Sequence, residues 1–119
     1  MAKKEGCNPD EIFIPSLKCI KKSSVTTHNV PLGWIKLKGK EEFHNRHNND
    51  VVQVKLDSDF HPPVWVHAYG YVDDDGGYVI YDLFADLTSK NSKKEAQKHA
   101  IERMKKHPEG ILGFKHMEK

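Results

Sequence analysis

Val64-Trp65-Val66-His67-Ala68-Tyr69-Gly70-Tyr71-Val72, followed by Asp73-Asp74-Asp75-Gly76-Gly77 and then Tyr78-Val79-Ile80-Tyr81-Asp82-Leu83-Phe84-Ala85, is the stretch that decides the fold. In its first part small aliphatic residues alternate with Trp65, His67, Tyr69 and Tyr71, a period of two that puts the two sets on opposite faces of a strand. The acidic run and the glycine pair after it read as a turn, because Asp side chains accept from nearby backbone amides and glycine supplies positive φ. The third part is the returning strand. Immediately upstream, Val52, Val54 and Leu56 alternate with Val51, Gln53 and Lys55, which gives a half-buried strand ending at Asp57-Ser58-Asp59. Three strands of an antiparallel meander follow from these patterns.

Downstream, Ser92-Lys93-Lys94-Glu95 opens a helix. Ser92 can accept from the amide three residues on while Glu95 reaches back, the reciprocal arrangement of a capping box. Ala96, Ala100, Met104 and Ile101 recur at three- and four-residue spacing until Pro108 and Gly110 stop the helix. The expected fold class is therefore α+β, an antiparallel sheet of three or four strands with a C-terminal helix over 92–107 packed on one face. The fourth strand depends on residues 33–39, where alternation favours a strand but the following Lys40-Glu41-Glu42-Phe43 favours helix. His44-Asn45-Arg46-His47-Asn48-Asn49 reads as a loop or a frayed helix end. Pro9 and Pro15 oppose a long helix near the N-terminus, so residues 1–30 are expected to be a partly ordered arm that packs Phe13 onto a single α+β domain spanning 31–119.

The chain has 119 residues, 30% of them charged, and a net charge of only +2, so any affinity for a polyanion must come from where the lysines are placed. Cys7 and Cys19 are the only cysteines and lack metal-type spacing; a reduced thiol pair is expected. No apolar run approaches the ~20 residues of a membrane span, and Met1-Ala2-Lys3-Lys4-Glu5-Gly6 lacks a signal-peptide core. The expected location is intracellular, cytoplasmic or nuclear, with no membrane partner.

Lys93, Lys94 and Lys98 lie at the positive end of the helix dipole, where stability alone prefers acidic residues. Bare amides and fixed positive charge together make a phosphate site. Trp65, Tyr69 and Tyr71 share a face, and that row is either sheet core or a stacking surface for unpaired bases. His44, His47, His61, His67 and Asp73–Asp75 show no paired ligand spacing, so no metal and no cofactor is expected. No nucleophile has an evident base partner and no phosphate-cradling glycine loop is present, which points to a binding module and not an enzyme.

Residues 50–107 resemble the double-stranded RNA-binding domain. Ser92-Lys93-Lys94-Glu95-Ala96 is similar to the opening of that family's last helix, and His61-Pro62-Pro63-Val64-Trp65-Val66 to its loop and strand entry. The resemblance implies that Lys93, Lys94 and Lys98 touch phosphates across a major groove and that His61 reaches into a minor groove. RNA is then the favoured partner. If 33–39 is a strand, the β-β-β-β-α order is instead similar to a single-strand-binding transcriptional coactivator and its bacterial relatives, with Trp65 and Tyr69 as stacking residues. A protein-interaction module or homodimer without nucleic-acid binding is the competing class.

Overall fold

The computed structural model describes residues 6–85 and 91–110. A six-stranded antiparallel sheet runs in chain order: β3 (Val25–Thr26), β4 (Trp34–Leu37), β5 (Glu42–Asn45), β6 (Asp50–Asp57), β7 (Val64–Val72) and β8 (Tyr78–Ala85). Before it, β1 (Glu11–Ile14) and β2 (Lys18–Lys21) form a separate hairpin, and one helix, α1 (Lys93–Lys105), follows. The α+β class is borne out, but the sheet has six strands where three or four were expected. Residues 33–39 contribute a strand, and so do 42–45, which the sequence assigned to helix or loop. Gly39 at φ +79° lets the chain reverse between β4 and β5, and Lys40 N–H donates to Leu37 C=O at 3.3 Å. Once reversed, Phe43 pairs with Val52 and joins the core, and that burial outweighs the helix propensity of Lys-Glu-Glu.

Register fixes which residues share a face. Phe43, Val52, Val54 and Tyr69 lie on the side covered by α1, where Ala96, Ala100 and Met104 pack down with Trp34 into one cluster. The aromatic row is therefore core. Tyr69 is only 3% exposed, so the stacking-surface expectation is corrected for it: helix packing over a strand face rich in large rings buries more apolar area than solvent exposure could leave.

Gly70 on β7 marks an irregularity in its pairing with β8. A register shift falls between Tyr69 and Gly70, and a Cβ on Gly70 would lie 1.8 Å from the Val79 carbonyl oxygen. Only glycine allows that approach. The expected turn is present: Asp73 Oδ1 accepts from the amides of Asp75 (3.0 Å) and Gly77 (2.8 Å).

Both ends of α1 are fastened. At the start, Ser92 Oγ accepts from Glu95 N–H at 3.2 Å, and the Asn91 side chain pairs with both backbone groups of Trp65 at 2.8 Å each, standing in for a neighbouring strand. Beyond the last turn, Trp34 Nε1 donates to His107 C=O (3.0 Å), Asn45 Nδ2 to Pro108 C=O (3.2 Å) and Asn48 Nδ2 to Glu109 C=O (2.6 Å). Carbonyls that a helix exit would leave unpaired are thus met by side chains from the sheet.

The described part of the N-terminal segment carries the β1–β2 hairpin. Cys7 and Cys19 form a disulfide that closes the hairpin, with Cα atoms 5.4 Å apart, so the reduced-pair expectation is corrected. Phe13 lies opposite Cys19 in the hairpin register, Ile14 is fully buried, and Ser16 at the turn reaches His44 on the sheet face opposite α1. With only two cysteines, spacing gave no pairing information beyond their number.

Candidate nucleic-acid interface and an adjoining cleft

Helical spacing places Lys94, Lys98 and Lys105 on one exposed side of α1, away from Ala96, Ala100 and Met104. Among the described residues neither Lys94 nor Lys98 has a carboxylate within ion-pair distance. Lys93 is placed differently. Its Nζ lies 5.9 Å from the Trp65 ring centroid and 3.8 Å from Glu41 Oε2, while Glu41 Oε1 accepts from Gln97 Nε2 at 2.7 Å. That ion pair is long and half exposed, hence worth little. His61 is exposed on the loop between β6 and β7, Trp65 is half buried beside the helix start, and Tyr69 lies in the core. Of the six predicted site residues, the structure brings Lys93 and Trp65 together and leaves Lys94, Lys98 and His61 open to solvent.

The sequence reading did not single out a cleft of about 400 Å³ between the other flank of α1 and the β7–β8 edge. Its wall includes Trp65, His67 and Phe84 from the strands and His99, Arg103 and Lys106 from the helix. Phe84 is the organising plate. The His67 and Tyr69 rings stack beside it at 5.3 and 5.4 Å between centroids, each inclined by 25°, and the Arg103 guanidinium carbon lies 4.2 Å from its centre. Among the described residues, two buried polar atoms in this packing, His67 Nε2 and Arg103 Nε, have no hydrogen-bond partner. Burial, with the Arg103 and His99 charges adding to it, lowers the His67 pKa to about 4, so the ring is neutral. The available signal was the period of two: His67 is the one polar residue in a row of inward aromatics.

A second buried histidine closes a polar chain on the opposite face. His44 Nε2 lies 2.7 Å from Glu42 Oε2 and Nδ1 lies 2.6 Å from Ser16 Oγ, so the Nε2–H donates to the carboxylate while Nδ1 bonds the hydroxyl. Glu42 also accepts from Tyr78 Oη (2.7 Å) and Gln53 Nε2 (3.0 Å). Burial alone would raise the Glu42 pKa, but the hydrogen bonds from His44, Tyr78 and Gln53 outweigh it and bring it to about 2. Ser, His and Glu are residue types of hydrolytic triads. Here His44 has no exposed surface and both ring nitrogens are occupied, so the chain acts as a strut between hairpin and sheet.

Among the described residues, the one cluster of three metal-ligating side chains is Cys7, Glu11 and Cys19, whose ligand atoms lie within 4.8 Å of each other. With the two sulfurs bonded to one another, no thiolate is left there to ligate. No described helix is long and apolar enough to cross a membrane. Comparisons with protein-family models, curated proteins and solved structures find no match to this chain.

Proposed function

We propose that this chain is a nucleic-acid-binding module, with double-stranded or structured RNA favoured, that holds the phosphate backbone through the outer side of α1. One observation carries the reading: Lys94 and Lys98 project from the first turns of a capped helix with no acidic partner among the described residues. Lys105 extends the same stripe, and Lys93 over Trp65 extends it toward the sheet. Such a stripe recognises backbone charge and not base sequence, so binding is expected to be salt-sensitive and sequence-independent. His61 supplies the second contact expected from the family resemblance. Single-strand stacking is the weaker form of this reading, because Tyr69 is not available to a base.

The test is fluorescence anisotropy with labelled duplex and single-stranded RNA of matched length at two salt concentrations. Lys94→Glu plus Lys98→Glu should weaken duplex binding and flatten the slope of log K against log salt by about two. Unchanged binding in that variant would remove the proposal. A protein-partner or homodimer reading draws on one specific feature, the exposure of Tyr78, Ile80 and Leu83 on the edge strand β8. Sedimentation velocity across a concentration series separates the two. The cytoplasmic or nuclear location belongs to this proposal as well, and the Cys7–Cys19 bond speaks against it, since disulfides are rare in those compartments. Thiol titration of protein taken directly from its native source decides that point.

A further inference from the structure

We propose that the cleft between α1 and the β7–β8 edge is a binding site for a phosphomonoester, with His67 and Arg103 as the groups that hold the phosphate. The inference does not rest on the Lys94–Lys98 stripe, which lies on another side of the helix.

Three observations converge. First, His67 is 96% buried, given its 4% exposure, and neither its Nε2 nor Arg103 Nε has a hydrogen-bond partner among the described residues. Buried polar atoms are nearly always satisfied, and each one left without a partner costs on the order of 1–3 kcal/mol. Two such atoms, buried just behind the wall of one cleft that their own side chains line, are hydrogen-bonding capacity that the described residues do not use. Second, fixed positive charge outnumbers negative among the described lining residues: Arg103 and Lys106 stand on the wall with the imidazoles of His99 and His107 beside them, against the carboxylate of Glu102. The Glu95 carboxylate lies 3.9 Å from His99 Nε2, on the flank of the helix that leads to the cleft. Two fixed cations with imidazole nitrogens beside them suit a dianion with three terminal oxygens better than a carboxylate with two. Third, the cleft is larger than a phosphate group. A volume of about 400 Å³ falls in the range of small-molecule sites, and Trp65 and Phe84 offer ring surface to the remainder of the ligand. A phosphate attached to a planar, partly apolar body, as in a nucleoside monophosphate, meets all three conditions.

The phosphomonoester could belong to a free mononucleotide or to the 5′ end of a strand, and the experiment distinguishes them. Isothermal titration of the full chain is run with a nucleoside 5′-monophosphate, the matching unphosphorylated nucleoside, inorganic phosphate, and short oligonucleotides with and without a 5′ phosphate. The monophosphate is expected to bind at least about tenfold more tightly than the nucleoside, and His67→Leu or Arg103→Met to remove that difference. A preference of the same size for the 5′-phosphorylated oligonucleotide over its 5′-hydroxyl form assigns the site to strand ends; without it, the site is assigned to free nucleotides. Lys94→Glu plus Lys98→Glu should leave the monophosphate affinity unchanged, so failure of this inference and failure of the proposed function are separately visible. The imidazole nitrogen shifts of His67 in the unaltered protein provide a readout that needs no variant, and they should move with monophosphate and stay fixed with nucleoside. Equal binding of monophosphate and nucleoside, or an unmoved His67 signal at saturating monophosphate, overturns the proposal.

Discussion

His44 and His67 sit one strand apart on either side of β6, on opposite faces of one sheet, and both are almost fully buried. Around His44 the protein supplies everything: a hydroxyl on one nitrogen, a carboxylate on the other, and two further donors to that carboxylate. Around His67 the described residues supply ring stacking and positive charge but no hydrogen bond to Nε2. The difference teaches that burial of a polar side chain has two uses, which its bonding state separates. A satisfied group spends its capacity on holding the fold, whereas an unsatisfied one costs stability and keeps capacity for something else.

The contrast can be broken most severely at His44. His44→Ala would leave the Glu42 carboxylate without one of its two shortest donors and the Ser16 hydroxyl without its ring partner, and about 3–5 kcal/mol of stability should be lost in urea unfolding. A loss below about 1 kcal/mol would mean the strut is incidental.

Acid titration resolves the two histidine environments in sequence. His67 titrates near 4 in the folded chain against 6.5 ordinarily, so the unfolded chain takes up the proton first and stability falls as pH drops from about 6.5 to about 4. Glu42 titrates near 2 against 4.5, so its contribution is complete above about 4.5 and is lost as pH falls toward 2. Each window should be worth on the order of 3 kcal/mol. Unfolding free energy measured from pH 7 to pH 3 should lose its first decline in His67→Phe and its second in Glu42→Gln.

Opening the hairpin that carries Ser16 is the next lever. Cys7→Ser plus Cys19→Ser releases a closure spanning 12 positions and should cost about 2–3 kcal/mol, measured against the oxidised protein. The smallest effect sharpens the comparison most. His67→Leu removes an Nε2 that no described residue satisfies, so stability at pH 7 should change by no more than about 1 kcal/mol, in either direction. A loss comparable to that of His44→Ala would show that His67 has a structural partner after all.

Much of this was legible from residue order. β6, β7, the aspartate turn, β8 and the capped helix announced themselves because each is eight residues or longer or carries its own turn or cap chemistry. β1 to β5 did not, for a physical reason: strands of two to four residues complete at most two alternations, too few to show a period. Their identity is settled by pairing, as when Phe43 meets Val52 and Ile35 meets His44. The site divided the same way. Lys94 and Lys98 were found through the helix start that exposes them. His67 and Arg103 are 36 positions apart in the chain and become neighbours only when α1 folds back over β7, so nothing local marks them as a pair.

A meander whose every strand bonds to its chain neighbour also has a kinetic consequence. Closing each hairpin spans few residues, so the sheet can zip outward from β6–β7 at little entropic cost per step. Docking of the helix exit onto β4 is the exception, since Trp34 and His107 are 73 positions apart. Refolding of Trp34→Phe should therefore keep nearly the parental rate while unfolding accelerates, placing the closure of that long loop after the rate-limiting barrier.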